Sequence, residues 1–459
     1  MHVPPAGSSG KTPRYLAIAT ELAQAIETGQ LAPGEKLPPH RVLAKRLGVT
    51  TGTVSRAYAS LERQALATAR VGDGTFVRNL DTSTEDASTA AAAHTIDLAH
   101  NIAIPTDDAG ALSRALTALG QAPAQMARML KYQPEAGATQ HRMAGARWLT
   151  RFGTTGSWER VMVTHGAQHA LAGVLRTIAR PGDTLLTEPL SYPGMLALAR
   201  SLRLQVVGLE VDAQGILPDA LDRAAQTYGT KLLFCCPTLH NPTTASMDLA
   251  RREAIAAVVR KRRLLLMEDV VHAAALQQPP PALSTLVPDQ SFLMASFSKV
   301  MAPGLRVGYL EAPPQWLDKV ASSIRADCWM VAPLMPEIAT RWLESGDTEH
   351  LIALQRQQIA ERLALARRVL SGIPMRWAED FPHVWLPLPE PWRAGPFAAQ
   401  LRRAGVLVRT MEHFAVGRSP VPDAVRISLN AAPSLEQLRQ GLQTVLATLR
   451  EVPAAAPDP

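Results

Sequence analysis

The sequence predicts two unlike folding units in one chain: a small α+β unit over residues 1–79 and an α/β domain with a mostly parallel sheet over 97–459. Three observations predict this. Within residues 80–96, the stretch DTSTEDASTAAAAHT (81–95) has no hydrophobic periodicity and reads as a flexible linker. Ahead of it, three helix-spaced segments lead into two short strands around a glycine-marked turn. Behind it, short apolar runs alternate with longer amphipathic segments, the pattern of parallel strands covered by helices on both faces. A chain of 459 residues is long enough for two or three cores.

In the first unit, Tyr15, Ile18, Leu22, Ala25 and Ile26 share one helical face, and Gly29 stops that helix. LAPGEKLPPH follows as a turn and an extended piece, because adjacent prolines cannot sit inside a helix. A second helix is predicted over 41–47, and Gly48-Val49 makes the turn after it. Thr50 or Thr51 caps a third helix carrying Val54, Tyr58 and Leu61. ALATARVGDGTFVRN then reads as a hairpin turning at Gly72-Asp73-Gly74. Three helices and a hairpin make a winged helix-turn-helix.

Such a unit reads double-stranded DNA with the start of its third helix. Here that start offers Thr50, Thr51, Gly52, Thr53 and Arg56; Arg41 is placed for a phosphate, and Arg70 and Gly74 sit at the hairpin tip. Charge supports this reading. Residues 1–79 hold ten basic and five acidic side chains, a net +5 of the chain's formal +7. The same pattern also fits a packing or dimerisation module with solvated basic residues.

In the second unit, the strands are expected in RVMVTHG, DTLLTEP, LQVVGLEV, KLLFCCP, RLLLMEDV and FLMASFS, with helices between them and a small α+β subdomain over about 345–450. Its strongest chemical motif is Ser296-Phe297-Ser298-Lys299 followed by Gly304-Leu305-Arg306. A lysine after a buried strand can form a Schiff base, while a nearby hydroxyl and a guanidinium hold a phosphate. Asp269, ending RLLLMEDV, can pair with a pyridine nitrogen. Asn241 in LHNPT can donate to a phenolic oxygen, and Tyr192 in SYPG can stack on a ring. Gly166-Ala167-Gln168 opens a helix directly after a strand, leaving backbone N–H groups for an anion.

Three cysteines, with Cys235 and Cys236 adjacent, form no disulfide framework, and no metal site is assigned. No stretch approaches the roughly 18 apolar residues of a membrane span, and the first 15 residues lack the core of a signal peptide. A cytoplasmic protein without a membrane partner is expected.

Two resemblances sharpen these readings. Leu31-x-Pro33-Gly34, Leu37-Pro38, Arg41-x-Leu43-Ala44, Leu47-Gly48-Val49, Gly52-Thr53-Val54, Ala57-Tyr58-x-x-Leu61 and Gly72-x-Gly74-Thr75-Phe76-Val77 resemble the GntR-family winged helix. His40 stands where that family usually has a Ser or Thr expected to cap a helix. Residues 97–450 are similar to fold-type I pyridoxal-phosphate enzymes, the aspartate aminotransferase superfamily. That resemblance implies pyridoxal phosphate on Lys299, the pyridine nitrogen on Asp269 and the phenolic oxygen near Asn241. It also implies the phosphate on Gly166, Ala167, Gln168, Ser296 and Arg306, with Tyr192 stacking on the ring. Tyr132, in Tyr132-x-x-x-x-Gly137, resembles a tyrosine that reaches a neighbouring subunit's phosphate in head-to-tail homodimers, and Arg426 one that binds a substrate's α-carboxylate. One position departs: His272 stands where these enzymes usually place a tyrosine that donates to the phenolic oxygen. An imidazole there is expected to vary in charge near neutral pH.

The two halves in this order resemble the MocR subfamily of regulators. That implies operator DNA binding governed by pyridoxal phosphate, or by an amino acid or amine, through an internal or external aldimine. A working aminotransferase carrying a DNA-binding domain is the alternative. A flexible 15-residue linker spans roughly 20–23 Å, which permits several half-site spacings.

Overall fold

The computed structural model describes residues 13–28, 30–31, 35–63, 66–70, 74–77, 95–104, 106, 108–417, 419 and 421–451. The Gly29 stop, Pro33-Gly34, the Gly72-Asp73 turn, the stretch 81–94 and the tail 452–459 lie outside the described residues.

Helices α1 (Arg14–Glu27), α2 (His40–Leu47) and α3 (Thr51–Arg63) precede an antiparallel pair, β1 (Ala67–Arg70) and β2 (Gly74–Val77). Ile18, Leu22, Leu43, Val54, Tyr58 and Leu61 meet in one core, as the helical spacing requires. Gly48 ends α2 in the left-handed conformation at φ 61°. Thr50 is the cap of α3: its Oγ1 accepts from Thr53 N at 3.2 Å. The proline-rich segment adds an edge to the hairpin, Leu37 N donating to Thr75 O and Val77 N to Glu35 O, both at 2.8 Å.

The expected capping role of position 40 is corrected. His40 is the first helical residue of α2, after Pro39, and makes no cap bond. Its Nδ1 lies 3.0 Å from Ser55 Oγ, and its ring packs edge-on against Tyr58 at 4.8 Å. The imidazole therefore ties α2 to α3.

The larger unit enters through β3 (Ile96–Asp97), then α4 (Asp108–Gly120), α5 (Pro123–Met129) and α6 (Thr139–Leu149). Strand–helix alternation follows: β4 (Val161–Thr164), α7 (Gly166–Ile178), β5 (Thr184–Thr187), α8 (Pro193–Ser201) and β6 (Gln205–Gly208). A short pair, β7 (Val211–Asp212) and β8 (Gly215–Ile216), precedes α9 (Pro218–Tyr228), β9 (Leu232–Cys235), α10 (Leu249–Arg262), β10 (Leu265–Asp269), β11 (Ser291–Ser296) and β12 (Gly308–Glu311). The main sheet runs β4-β12-β11-β10-β9-β5-β6. Its pairings are parallel except those of β12, which is antiparallel to both neighbours. The short return from Ser296 to Gly308 leaves no room for the crossover helix a parallel strand needs.

Both faces of the sheet are buried, so neighbouring residues serve different cores. Leu185 and Met267 pack with Val174 and Ile324 on one side. Leu186 and Leu266 pack with Leu221 and Ile255 on the other.

Helices α11 (Pro314–Cys328), α12 (Leu334–Ser345) and α13 (Asp347–Val369) lead into the C-terminal subdomain. There β13 (His383–Pro387), α14 (Ala394–Arg403), β14 (Val406–Leu407), β15 (Arg409–Thr410), β16 (Ala424–Ser428) and α15 (Leu435–Arg450) complete the chain. The antiparallel sheet β13-β16-β15 packs beside a parallel pair in which Ile96 of β3 partners Val406 of β14. Leu98 is buried with Val384, Ile427 and Leu442. The subdomain expected over 345–450 is thus completed by residues from the domain's other end, and Ile96, expected to close the linker, already belongs to a strand.

Candidate functional site

A cavity of about 570 Å³ opens at the carboxyl ends of β4, β9, β10 and β11, where ligands bind in parallel sheets. Every expected cofactor residue lines it except Gly166, which lies just behind Arg306 and Ser296, and Tyr132.

At one end α7 begins at Gly166, whose φ of +78° favours glycine. A Cβ there would meet Arg306 Nη2 at 3.0 Å and Ser296 Oγ at 3.5 Å. Arg306, itself left-handed at φ 51°, donates through Nη1 to Ser298 Oγ and through Nη2 to His165 O, both at 3.2 Å. Ser298 Oγ lies 3.0 Å from Ser296 Oγ. A helix N-terminus, two hydroxyls and a guanidinium bonded to neutral oxygens thus converge, a donor set suited to a phosphate.

In the middle stand Lys299, Asp269, Asn241 and Tyr192. Lys299 sits in a 3-10 turn directly after β11, and its Nζ donates to Asn101 O at 2.5 Å. Burial, then the nearby Arg426 and Arg306 charges, lower its pKa to about 8. Asp269 ends β10 and accepts from Val271 N at 2.8 Å; burial raises its pKa to about 6, against the pull of Lys299. Asn241 precedes a cis proline, and its Oδ1 accepts from Arg426 Nη1 at 2.8 Å, leaving its Nδ2 as the donor. Tyr192 precedes α8 at the cavity wall. Gln168 Nε2 donates to Gly194 O at 3.0 Å, while its Oε1 is buried without a partner.

Arg426, on β16, is 4 % exposed. Its Nη2 donates to Ala99 O, its Nε is buried without a partner, and its guanidinium lies 5.1 Å from the Phe414 ring centre. Burial and Arg409 lower its pKa to about 9.

His272 corrects the expectation of variable charge. It is packed edge-on against Phe381 at 5.1 Å and near His383 at 5.9 Å. Burial first, then the charges of Lys299 and Arg426, push its pKa down to about 3. It is neutral at physiological pH. Its Nε2 lies 3.4 Å from Asn101 Nδ2.

Tyr132 stays outside this cavity, 81 % exposed and 5.8 Å from the Trp329 ring. On the N-terminal unit, Arg41, Thr51, Gly52 and Arg56 are exposed, and the Thr50 and Thr53 hydroxyls lie 2.9 Å apart. Arg70 and Gly74 are the register partners next to the hairpin's turn. A Cβ on Gly74 would meet Lys36 Cε at 3.1 Å, so this glycine also makes room for a lysine stem.

Sequence reasoning assigned no role to Ser298, Asn101 or the pair His100 and Arg409. Ser298 stood inside the motif, where its hydroxyl was the available signal. Asn101 meets Lys299 through its backbone carbonyl, which any residue type supplies.

The larger unit matches the model of the family Aminotransferase class I and II over residues 94–445. The N-terminal unit matches Bacterial regulatory proteins, gntR family, over residues 14–77. The chain is 31 % identical over 447 residues to the uncharacterized HTH-type transcriptional regulator YdeF of Bacillus subtilis (strain 168), covering 95 % of each protein. It is 26 % identical over 370 residues to the HTH-type pyridoxine biosynthesis transcriptional regulator PdxR of Corynebacterium glutamicum, covering 78 % of this chain and 79 % of that one. Its fold matches that of Pyrococcus horikoshii kynurenine aminotransferase with a TM-score of 0.71 at 20 % identity, over 78 % of this chain and 91 % of that one. The architecture is therefore a GntR-type DNA-binding domain fused to an aminotransferase-like domain. The chain belongs to the MocR type of HTH transcriptional regulators.

The aminotransferase class implies pyridoxal phosphate, and the residues present fit it. The gap above Gly166 would be filled by a single Cβ, the donors there suit a phosphate, and a carboxyl and an amine stand at separate points of the wall. Among the described residues no cluster could hold a metal ion, and no helix is long and apolar enough to cross a membrane.

Proposed function

We propose that this regulator's affinity for operator DNA is set by occupancy of the Lys299 cavity, first by pyridoxal phosphate and then by an amino compound. One observation carries the reading. Residues 99–102, which follow within a few positions of the segment joining the two family matches, line that cavity. Ala99 O accepts from Arg426, and Asn101 O accepts from Lys299 at 2.5 Å. A change at either cation reaches the point where the chain leaves for the DNA-binding domain.

When bound, pyridoxal phosphate supplies an aldehyde that condenses with amines and a ring that withdraws electrons. Lys299 would carry it. Asp269 would hold the proton on the ring nitrogen, and Asn241, with neutral His272 nearby, would face the phenolic oxygen. Gly166, Ala167, Gln168, Ser296 and Arg306 would grip the phosphate, and Tyr192 would cover the ring. Arg426 would take the effector's carboxylate. Tyr132, exposed in a single chain, suits a role in the neighbouring site of a head-to-tail homodimer. The DNA contacts fall to Arg41, Thr50, Thr51, Thr53, Arg56, Arg70 and Gly74.

Hydrogen exchange of the full-length chain tests this coupling. Adding pyridoxal phosphate is expected to change exchange at residues 96–104 in the wild type and not in Lys299→Ala. Identical exchange in the wild type with and without cofactor overturns it. The completeness of the cavity, Arg426 included, also favours a second reading in which the chain transaminates. Steady conversion of an amino acid in the presence of a 2-oxo acid acceptor supports that reading, and its absence removes it.

A further inference from the structure

Behind the main sheet lies a buried ion pair that none of these roles uses. Arg252 of α10 and Glu268 of β10 are both buried, with Arg252 Nη1 3.8 Å from Glu268 Oε1. Side chains alternate along a strand, so Glu268 faces α10 while Asp269, the next residue, faces the cavity. Neither Arg252 nor Glu268 is among the residues lining that cavity.

Most of the guanidinium's hydrogen bonds go to one loop. Nη2 donates to Pro237 O at 3.2 Å and to Thr238 Oγ1 at 2.6 Å, and Nε donates to Met247 O at 3.1 Å. These acceptors are the two ends of the loop 237–247, which carries Asn241. Nη1 donates to Pro281 O at 3.2 Å. Glu268 accepts from Leu283 N at 3.0 Å and from Ser284 N at 2.6 Å, so it too is tied to backbone.

That loop needs an outside hold. Leu239 and Thr244 adopt φ of 52° and 64° without being glycine, and Thr244 is β-branched, for which this conformation is rare. Both are buried. Inside the loop His240 N donates to Ala245 O at 2.9 Å, Thr244 N to His240 O at 2.7 Å and Met247 N to Pro237 O at 2.8 Å. Strained backbone persists where its surroundings over-determine it, and the bonds from Arg252 to both loop ends supply that constraint.

We propose that Arg252 and Glu268 are positioning residues of the cofactor cavity: from behind the sheet they lock the loop 237–247, so that the Asn241 amide keeps its place in the cavity wall. The inference rests on the cofactor reading above and adds two residues to it. A buried pair that only balances charge can be replaced by neutral side chains of similar size. A pair that holds the loop cannot be replaced without moving Asn241.

The test uses the full-length, cofactor-loaded chain and reads the pH midpoint of its visible band, which a donor at the phenolic oxygen shifts. Asn241→Ala gives the reference shift. The double variant Arg252→Met with Glu268→Gln removes both charges and leaves no buried ion alone; circular dichroism and melting establish that it is folded. Its midpoint is expected to move by at least about half a pH unit in the direction of Asn241→Ala. In an Asn241→Ala background the same double replacement is expected to move it by less than about a fifth of a unit. An unmoved or oppositely moved midpoint in the double variant, or an equal shift with and without Asn241, overturns the inference.

Should the double variant not fold, Arg252→Lys takes its place. It keeps a charge opposite Glu268, but one ammonium cannot bridge both loop ends. The same shift supports the inference, and its absence overturns it. If no band forms in the wild type, or Asn241→Ala leaves its midpoint unmoved, the cofactor reading itself has failed. Hydrogen exchange of the cofactor-free chain then judges the hold on the loop. Exchange at His240, Thr244 and Met247 at least about tenfold faster in the variant supports it, and unchanged exchange overturns it.

Discussion

Lys299 Nζ donates to the backbone carbonyl of Asn101 at 2.5 Å, so the amine that would carry the cofactor also anchors the segment entering from the DNA-binding side. The bond uses a backbone acceptor, so side-chain replacement at Asn101 leaves it in place, whereas Lys299→Ala removes it. Borohydride treatment after incubation with pyridoxal phosphate is expected to fix the cofactor on the peptide containing Lys299. In Lys299→Ala both that mass gain and the visible band are expected to vanish, with residual non-covalent binding through Ser296 and Arg306. A modified peptide elsewhere in the chain contradicts the assignment.

The lowered pKa of Lys299 has a kinetic consequence. The neutral amine attacks, and with a pKa of about 8 about a tenth of it is neutral at pH 7, against well under a thousandth for an ordinary lysine. Cofactor capture is expected to accelerate about tenfold from pH 6 to 7 and to level off above pH 8. Stopped-flow absorbance checks this, and a rate still climbing at pH 10 contradicts it.

His272 ties stability to acid. Its folded pKa of about 3 lies below the unfolded value near 6.5, so the folded chain binds fewer protons between those limits. The contribution is present above pH 6.5 and is lost as pH falls toward 3. Asp269, raised to about 6, acts with the opposite sign over about pH 6 to 4 and masks part of the loss. The variant His272→Phe isolates the imidazole. Its stability relative to the wild type is expected to rise by about 2–3 kcal/mol between pH 6.5 and 4.5, at 1.36 kcal/mol per pKa unit. Urea unfolding of the cofactor-free proteins at the two pH values measures it, and an unchanged difference contradicts it.

The legible parts of the sequence were those where one residue type has one mechanical use. The runs around Val161–Thr164 and Leu265–Asp269 announced buried strands, and the motif holding Ser296, Lys299 and Arg306 announced residues that line one cavity. Strand β12 escaped because Gly308–Glu311 returns antiparallel to β11 without an intervening α-helix, outside the strand–helix alternation. The placement of Ile96 beside Val406 was illegible, since a two-residue strand paired across some 310 positions leaves no local period. His272 was read as varying in charge near neutral pH, whereas burial against Phe381 and the charges of Lys299 and Arg426, all supplied by other segments, hold its pKa well below that range.

On the proposed DNA-binding surface, Arg41 is exposed in the first turn of α2 and Arg56 in the second turn of α3. Replacing Arg41 by alanine is expected to weaken binding about equally across sequences and to reduce the salt slope by about one. Arg56→Ala is expected to cost specific binding about tenfold more than non-specific binding. Fluorescence anisotropy across salt concentrations separates the two; equal, salt-independent losses contradict the assignment.

The central claim is that the cavity around Lys299 governs the DNA-binding domain. Its most direct test is the affinity of the full-length chain for DNA from upstream of its own gene, by anisotropy at fixed salt, with and without pyridoxal phosphate, in wild type and Lys299→Ala. A change of at least fivefold on adding cofactor, absent in Lys299→Ala, is the predicted result. Sequence-specific binding of equal affinity in all four conditions would contradict the account.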